Sequence, residues 1–310
     1  PLMLGNICQQ LYTMVDTMIV GQVAGVEALA ALGAVDFLMW VVTGISTGLT
    51  QGFSIQLSQY YGAKDFENLR KSLAHSYRLT AFIAAGVLIL SQSFASLVLT
   101  GLHTPSNIIG MSLLYLRIIF CGIPAIAAYN MFASALRAMG NSKTPLTAMI
   151  IASVLNVSLD ILFVAGFGWG VAGAAIATVI AQSFSAVYCF LILRRIDIVH
   201  LTRADFMPAS GMNARLMKLG IPVVFQNIII GVGGLVVQYV INGYGFLFVA
   251  GFTATNKLYG LLEMAAISYG YAIVTYVGQN LGAGKIDRIR KGVRSSMLLS
   301  LLTSLIISAA

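Results

Sequence analysis

Three polar side chains stand in stretches of the sequence that are otherwise strongly apolar. Asp16 lies in LYTMVDTMIVGQ at residues 11–22, and Asn156 and Asp160 lie in NVSLD. The two NVSLD residues are four positions apart, so on a helix they share one face. Carboxylate and amide oxygens suit hard cations such as Na⁺, and burial beside a second carboxylate favours the protonated form of an Asp. If one fold brings the three residues together, they form a pocket that binds Na⁺ or H⁺.

The composition indicates what kind of element holds these residues. Of 310 residues, 58% are hydrophobic and 9% are charged, against about 25% charged in an average soluble domain. Apolar stretches of about 20 residues, long enough for a helix to cross a bilayer, recur along the chain. The sequence predicts an all-α integral membrane protein with about nine helices, near residues 2–21, 33–58, 72–99, 107–136, 145–166, 170–193, 219–242, 248–280 and 292–310.

The membrane raises the significance of the buried acids. A charged Asp at the centre of a bilayer costs about 2.5–3.5 kcal/mol on insertion scales, so such residues are rare, face inward and are commonly functional. We therefore expect Asp16, Asn156 and Asp160 to face the interior of the helix bundle. The competing interpretation is that each makes only a helix-capping or interhelical hydrogen bond.

Basic residues predict the orientation of the helices. Lys and Arg cluster after the second, fourth, sixth and eighth predicted helices, and the segments after the first, third, fifth and seventh carry none. Because short cytoplasmic loops carry the positive excess, we predict a multi-pass protein of the inner cell membrane with a cytoplasmic N-terminus. The net charge of +8 favours anionic lipid headgroups as partners, with no nucleic-acid role.

A shift of 220 positions reveals an internal repeat, because GAKDFENLRK at 62–71 falls on GAGKIDRIRK at 282–291. Six predicted helices separate the copies, an even number, so both copies have the same orientation. Parallel repeats of this kind place a substrate site between them. We predict two parallel six-helix repeats forming two lobes, 1–193 and 219–310, joined by a cytoplasmic linker at 194–218. The second lobe contains only its first three helices here, so we expect a parent chain of twelve.

Four other intramembrane polar residues carry weaker signals. Asp36 and Asn256 are equivalent in the repeat and are interpreted as interfacial or helix-capping residues. Arg117 and Lys257 are the two candidate intramembrane cations. Three motifs of soluble enzymes are absent from the sequence, which has no Walker loop, HExxH or CxxC.

Several segments carry a specific resemblance over essentially the whole chain. They are LYTMVDTMIVGQ with ALAALG, SALRAMGNSKTP at 134–145, NVSLDILFVAGFGWGVAGAAIAT at 156–178 and GQNLGAGKIDRIRK at 278–291. In them the chain resembles the multidrug and toxic compound extrusion (MATE) transporters, in the branch similar to the DinF subfamily. The resemblance implies two six-helix lobes around a V-shaped cavity and export of organic cations in exchange for H⁺ or Na⁺.

The resemblance also assigns roles to residues. Its coupling-ion site, which is also the possible Na⁺ site, falls on Asp16, Asn156, Asp160 and Thr178, and its substrate cavity falls on Tyr115 and Asn130. A proline that starts or bends the first helix falls on Pro1. Some branches use a Glu early in the seventh helix, where this chain has Gln226 and Asn227, so coupling of that kind is not expected.

These observations favour a monomeric, cation-coupled antiporter that exports organic cationic or amphipathic compounds by alternating access. We expect no enzymatic activity and no cofactor other than the coupling ion. The alternative is a flippase of lipid-linked saccharides, a relative in fold that needs a cationic cavity for pyrophosphate. A receptor or assembly factor would not need the carboxylate pair, and a two-Asp membrane protease would need flanking glycine motifs that the sequence lacks.

Overall fold

The computed structural model describes residues 2–309, apart from the side chains at positions 2, 258, 261–266 and 307–309. Pro1 lies outside the described residues. Within them the chain is helical and contains no strand. The helices are α1 (Leu2–Val23), α2 (Val26–Gly33), α3 (Asp36–Gly62), α4 (Phe66–Gly101), α5 (Ile109–Cys121), α6 (Ile123–Ala138), α7 (Lys143–Asp160), α8 (Gly170–Arg194), α9 (Met212–Asn242), α10 (Phe246–Gly282) and α11 (Ile286–Ala309).

Two features account for the difference between nine predicted and eleven observed helices within the described range. The short helix α2 lies almost entirely between the first two predicted helices, and the second predicted helix corresponds to α3. The fourth predicted helix is divided into α5 and α6, which are bent by 49°. Pro124 lies in the first turn of α6, and a proline has no N–H to donate and clashes with the preceding turn. The proline therefore accounts for the bend between α5 and α6.

The lengths and compositions of the helices fit a membrane. Among the described residues, five helical spans are long and apolar enough to cross one, or six if the bent pair α5 and α6 counts as a single span. The longest of them, Val26–Gly62, has 37 residues, which at 1.5 Å per residue exceeds the thickness of a hydrocarbon core. The predicted all-α membrane fold is confirmed, and the chain is a multi-pass membrane protein.

The repeat seen in the sequence is also present in the backbone. The span Val26–Gly62 and helix α10, Phe246–Gly282, both contain 37 residues and begin and end at equivalent positions. The residues before them, Gly25 and Gly245, have φ of 92° and 85°. This is a conformation that residues with a Cβ rarely adopt. The same turn therefore starts the same helix in each copy.

Helices α3 and α10 meet closely at their C-terminal ends. A Cβ on Gly62 would overlap the backbone of Gln279, and a Cβ on Gly282 would overlap the carbonyl of Gln59. Gln59 and Gln279 are themselves equivalent in the repeat, so the contact is reciprocal, like that of a twofold interface. The two glycines allow the backbones to approach, and we call this contact the glycine crossing.

The segment between α8 and α9 contacts α4 through an ion pair and hydrogen bonds. Asp205 lies 3.7 Å from the Arg70 guanidinium, and Arg78 donates a 3.0 Å hydrogen bond to the Phe206 carbonyl. The buried His75 ring lies 3.1 Å from the Met207 carbonyl. Because α9 begins at Met212, the last part of the predicted linker is helical. The lobe boundaries themselves stay predictions.

The glycine crossing generates a test that compares two helical glycines. Gly62→Ala is expected to lower the midpoint of thermal unfolding by roughly 3 °C or more, because the new methyl group meets the Gln279 backbone at a cost of about 1–3 kcal/mol. The control is Gly86→Ala in α4, where a Cβ meets no atom within 4 Å. There alanine should leave the midpoint unchanged or raise it, since it favours helix by up to about 1 kcal/mol. Equal effects at both positions would contradict the crossing.

Candidate functional site

A polar cavity of about 410 Å³ lies between the two repeats. Both copies contribute to its wall, as expected for parallel repeats. Its polar and charged residues include Tyr12, Asp16, Asp36, Tyr115, Asn130, Arg137, Thr178 and Gln182 from the first repeat and Asn227, Lys257 and Tyr271 from the second. Both residues predicted for the substrate cavity therefore line it. Tyr115 is buried, and the Asn130 amide donates a 3.2 Å hydrogen bond to the Thr47 hydroxyl.

The four residues predicted to bind the coupling ion lie in and behind one part of this wall. Helix α1 packs against α7, and α7 packs against α8, which brings the helices of Asp16, Asp160 and Thr178 together. Asp16 and Thr178 line the cavity, whereas Asn156 and Asp160 are fully buried behind it. The Asn156 amide lies 3.5 Å from the Thr178 hydroxyl, and the two carboxylates are close enough to interact electrostatically.

Four oxygen atoms of this group have no hydrogen-bond partner. They are Asp16 Oδ1, Asn156 Oδ1 and both carboxylate oxygens of Asp160, all buried. A buried carboxylate without a partner costs free energy, so it is normally paired, protonated or bound to a cation. Carboxylate and amide oxygens are also the donors that hard cations prefer. The atoms present thus fit Na⁺ or H⁺, and this agrees poorly with the interpretation that each residue merely caps a helix.

Two further residues extend this polar group. The Gln182 amide donates a 3.1 Å hydrogen bond to the Tyr12 hydroxyl, and both residues line the cavity. Tyr12 is four residues before Asp16, and Gln182 is four residues after Thr178. The sequence-based prediction lacks them, although this spacing, which places a residue on the same helix face, was the available signal.

A second charged group in the cavity is an ion pair between the repeats. Lys257 Nζ lies 2.7 Å from Asp36 Oδ2, with 16% of the Lys side chain and 23% of the Asp side chain exposed. Asp36 lies in the first turn of α3, as the interpretation as an interfacial or capping residue allows, but its carboxylate pairs with Lys257 of α10, which that interpretation did not include. Its partner is distant in sequence, so local spacing could not reveal the pair.

The cations also differ from the prediction. Arg117 is exposed on α5 and is absent from the cavity wall, whereas Lys257 and Arg137 line it. Arg137 directly follows the fourth predicted helix, so the sequence indicates a place among the basic residues of a loop. Its guanidinium donates a 3.0 Å hydrogen bond to the Ser134 hydroxyl and lies 5.8 Å from the centre of the Tyr271 ring. That distance suits a cation–π contact.

Sequence comparisons relate the chain to named proteins. The family model MatE matches residues 1–162 and 222–310. The probable multidrug resistance protein YpnP of Bacillus subtilis is 32% identical over 93% of this chain and 65% of its own length. The multidrug export protein MepA of Staphylococcus aureus is 22% identical over 92% of this chain and 63% of its own. The chain thus spans about two thirds of the length of these curated relatives.

Solved structures show the same fold. An outward-facing multidrug resistance MATE family transporter of the MOP superfamily superimposes with a TM-score of 0.90 at 23% identity, over all of this chain and 69% of the other. A MOP superfamily transporter from Pyrococcus furiosus gives a TM-score of 0.91 at 23% identity, again over all of this chain and 69% of its own. The predicted MATE-type fold is thereby confirmed.

The unpartnered oxygens generate a prediction about stability. Asp160→Asn is expected to leave the midpoint of thermal unfolding unchanged or to raise it, because it removes a buried carboxylate that has no partner. The comparison is Asn242→Ala, which removes a buried amide bonded to Gln238 and to the Leu102 carbonyl and should cost about 1–3 kcal/mol. Unfolding of the detergent-solubilised protein, followed by tyrosine and tryptophan fluorescence, measures both. An equal fall in both variants would make Asp160 a structural group.

Proposed function

The chain belongs to the MatE family, and from this premise we propose that it works as a cation-coupled antiporter exporting organic cationic or amphipathic compounds across the membrane. The names of its relatives support export of drug-like compounds. The polar cavity between the repeats supplies a place for such a compound. H⁺ or Na⁺ would be the coupling ion, and nothing in the cavity requires catalysis.

One observation carries the proposal, namely the buried and unpartnered oxygens of Asp16, Asn156 and Asp160. They supply negative charge and ligand atoms that the protein itself does not satisfy. Asp16 faces the cavity and Asp160 lies behind it. A cation bound at this group therefore reduces the negative charge that Asp16 presents to the cavity.

This arrangement makes coupling ion and substrate compete. While the pocket is empty, the charge of Asp16 attracts an organic cation in the cavity. Two opposite unit charges about 5 Å apart attract by about 3 kcal/mol at an effective dielectric constant of 20, which is about a hundredfold in affinity. Binding of H⁺ or Na⁺ cancels that attraction and releases the substrate. Binding that is mutually exclusive in this way, together with alternating access, gives antiport.

The flippase alternative is less well supported by the cavity. A lipid-linked saccharide carries a pyrophosphate, which requires free cations. Lys257 is already paired with Asp36, and Asp16 adds a further negative charge to the wall. Among the described cavity residues, this leaves Arg137 as the cation for a phosphate. The balance of charge favours a cationic substrate.

The remaining aspects of the proposal follow from the sequence. The basic segments after alternate helices support a cytoplasmic N-terminus and insertion in the inner membrane. Anionic lipids would contact those segments, and the protein would act as a monomer. The residue roles proposed are coupling-ion binding by Asp16, Asn156, Asp160 and Thr178, and contact with substrate by Tyr115 and Asn130.

Gradient-driven transport tests this function. The full-length protein in proteoliposomes should move a fluorescent organic cation when a pH gradient or a Na⁺ gradient is imposed, and the gradient that works identifies the coupling ion. Asp160→Asn should reduce the rate at least tenfold, because the pocket loses one of its two buried carboxylates. Asp287→Asn, which changes an exposed acid, is the matched control and should transport normally. Wild-type rates in Asp160→Asn, or no transport under either gradient, would refute the antiporter.

A further inference from the structure

We propose that Lys257 determines substrate selectivity. Its ammonium group is paired with the carboxylate of Asp36, and an organic cation must displace the ammonium group in order to bind that carboxylate. The inference rests on the proposed function and goes beyond it by assigning a second carboxylate to the substrate. It also predicts that the favoured substrates carry a single positive charge.

The first part of the argument is the position of the ion pair. Lys257 extends from α10 and Asp36 begins α3, and both residues line the cavity. Both side chains are partly exposed to it, so a ligand can approach the pair. Asp36 also lies in the first turn of α3, where the positive end of the helix dipole favours a negative charge. The carboxylate is therefore stabilised even when the ammonium group leaves.

The second part is that the backbone of Lys257 is fixed while its side chain is long. The Lys257 carbonyl accepts a 3.2 Å hydrogen bond from the Gln10 side chain. Gly260, one turn later, leaves room for this amide, because a Cβ there would lie 2.6 Å from its nitrogen. Four flexible methylene groups then carry the ammonium. The end of the side chain can move without loss of the contact between α1 and α10.

The third part is the count of charges near the pair. Asp16 interacts electrostatically with both Lys257 and Asp36, so one ammonium faces two carboxylates. Arg137 contacts Tyr271, fourteen residues further along α10 and therefore roughly 20 Å away along the helix. Among the described side chains, and with Asp16 ionised, the group of Asp16, Asp36 and Lys257 has one net negative charge. One monovalent organic cation neutralises it, and the ammonium opposes a second charge.

The proposal predicts opposite effects for the two partners. Lys257→Met removes the competing charge at nearly constant length and should tighten binding of tetraphenylphosphonium about tenfold, as expected for loss of one nearby repulsive charge. Asp36→Asn leaves the ammonium unpaired and should weaken the same binding by a similar factor. Binding of the uncharged analogue triphenylphosphine oxide should change in neither variant. An ion pair with only a structural role would shift the two variants in the same direction.

Titration calorimetry on the purified full-length protein measures these affinities. The double variant Lys257→Met with Asp36→Asn should lack the tighter binding of tetraphenylphosphonium that Lys257→Met alone shows. The control is Lys285→Met, at an exposed position, which should bind the cation as wild type does. If Lys257→Met fails to fold, Lys257→Gln replaces it with the same expected direction. Unchanged or weaker cation binding in the folded Lys257 variant overturns the inference.

The outcomes separate this inference from the antiporter itself. If wild type binds tetraphenylphosphonium and transports it, but the Lys257 variant binds it no more tightly, the inference fails and the antiporter stands. If neither wild type nor any variant binds the cation, both fail. Tighter binding in the Lys257 variant without gradient-driven transport supports the selectivity role and counts against the antiporter.

Discussion

The constraint on which the rest of this structure depends is the burial of two carboxylates in an apolar helix bundle. Asp16 and Asp160 cannot face lipid without a large cost, so α1 and α7 must turn those faces toward each other and toward α8. The protein does not then satisfy the oxygens with its own donors. Groups that are costly to bury and are left unsatisfied support the proposal that a cation from solution, H⁺ or Na⁺, binds in the first repeat.

The two repeats are alike in their backbones and unlike in their charges. The glycine crossing joins equivalent residues, and Gly25 and Gly245 share one unusual conformation. The cavity is instead asymmetric, because the position equivalent to Asp36 is Asn256 and the position equivalent to Lys257 is Phe37. The backbone that the two repeats share thus provides the arrangement of helices, and the positions at which their side chains differ provide the charges of the cavity.

The sequence was sufficient for features that rest on local patterns. Helix positions follow from apolar stretches, the bend near Pro124 follows from its missing N–H, and the repeat follows from matching letters 220 positions apart. Helix ends were less accurate, since α9 starts at Met212 in a segment whose charges indicated a loop. The pair Asp36 and Lys257 could not be predicted, because it depends on how α3 and α10 pack. The same holds for Arg137, whose position at a helix end indicated a loop while its side chain lines the cavity.

The reciprocal contact at Gly62 and Gly282 bears on the ancestry of the chain. In a symmetric homodimer, a residue near the twofold axis meets the partner's copy of a neighbouring residue, and this is the pattern at the crossing. A half-length ancestor with one copy of the repeat would make the glycine crossing by pairing with itself, before any gene duplication. It would not make the pair of Asp36 and Lys257, since a single sequence cannot place Lys and Phe at the same position. Two separate copies of the repeat are therefore required before Asp36 and Lys257 can face each other, and the charged pair depends on the difference between the copies.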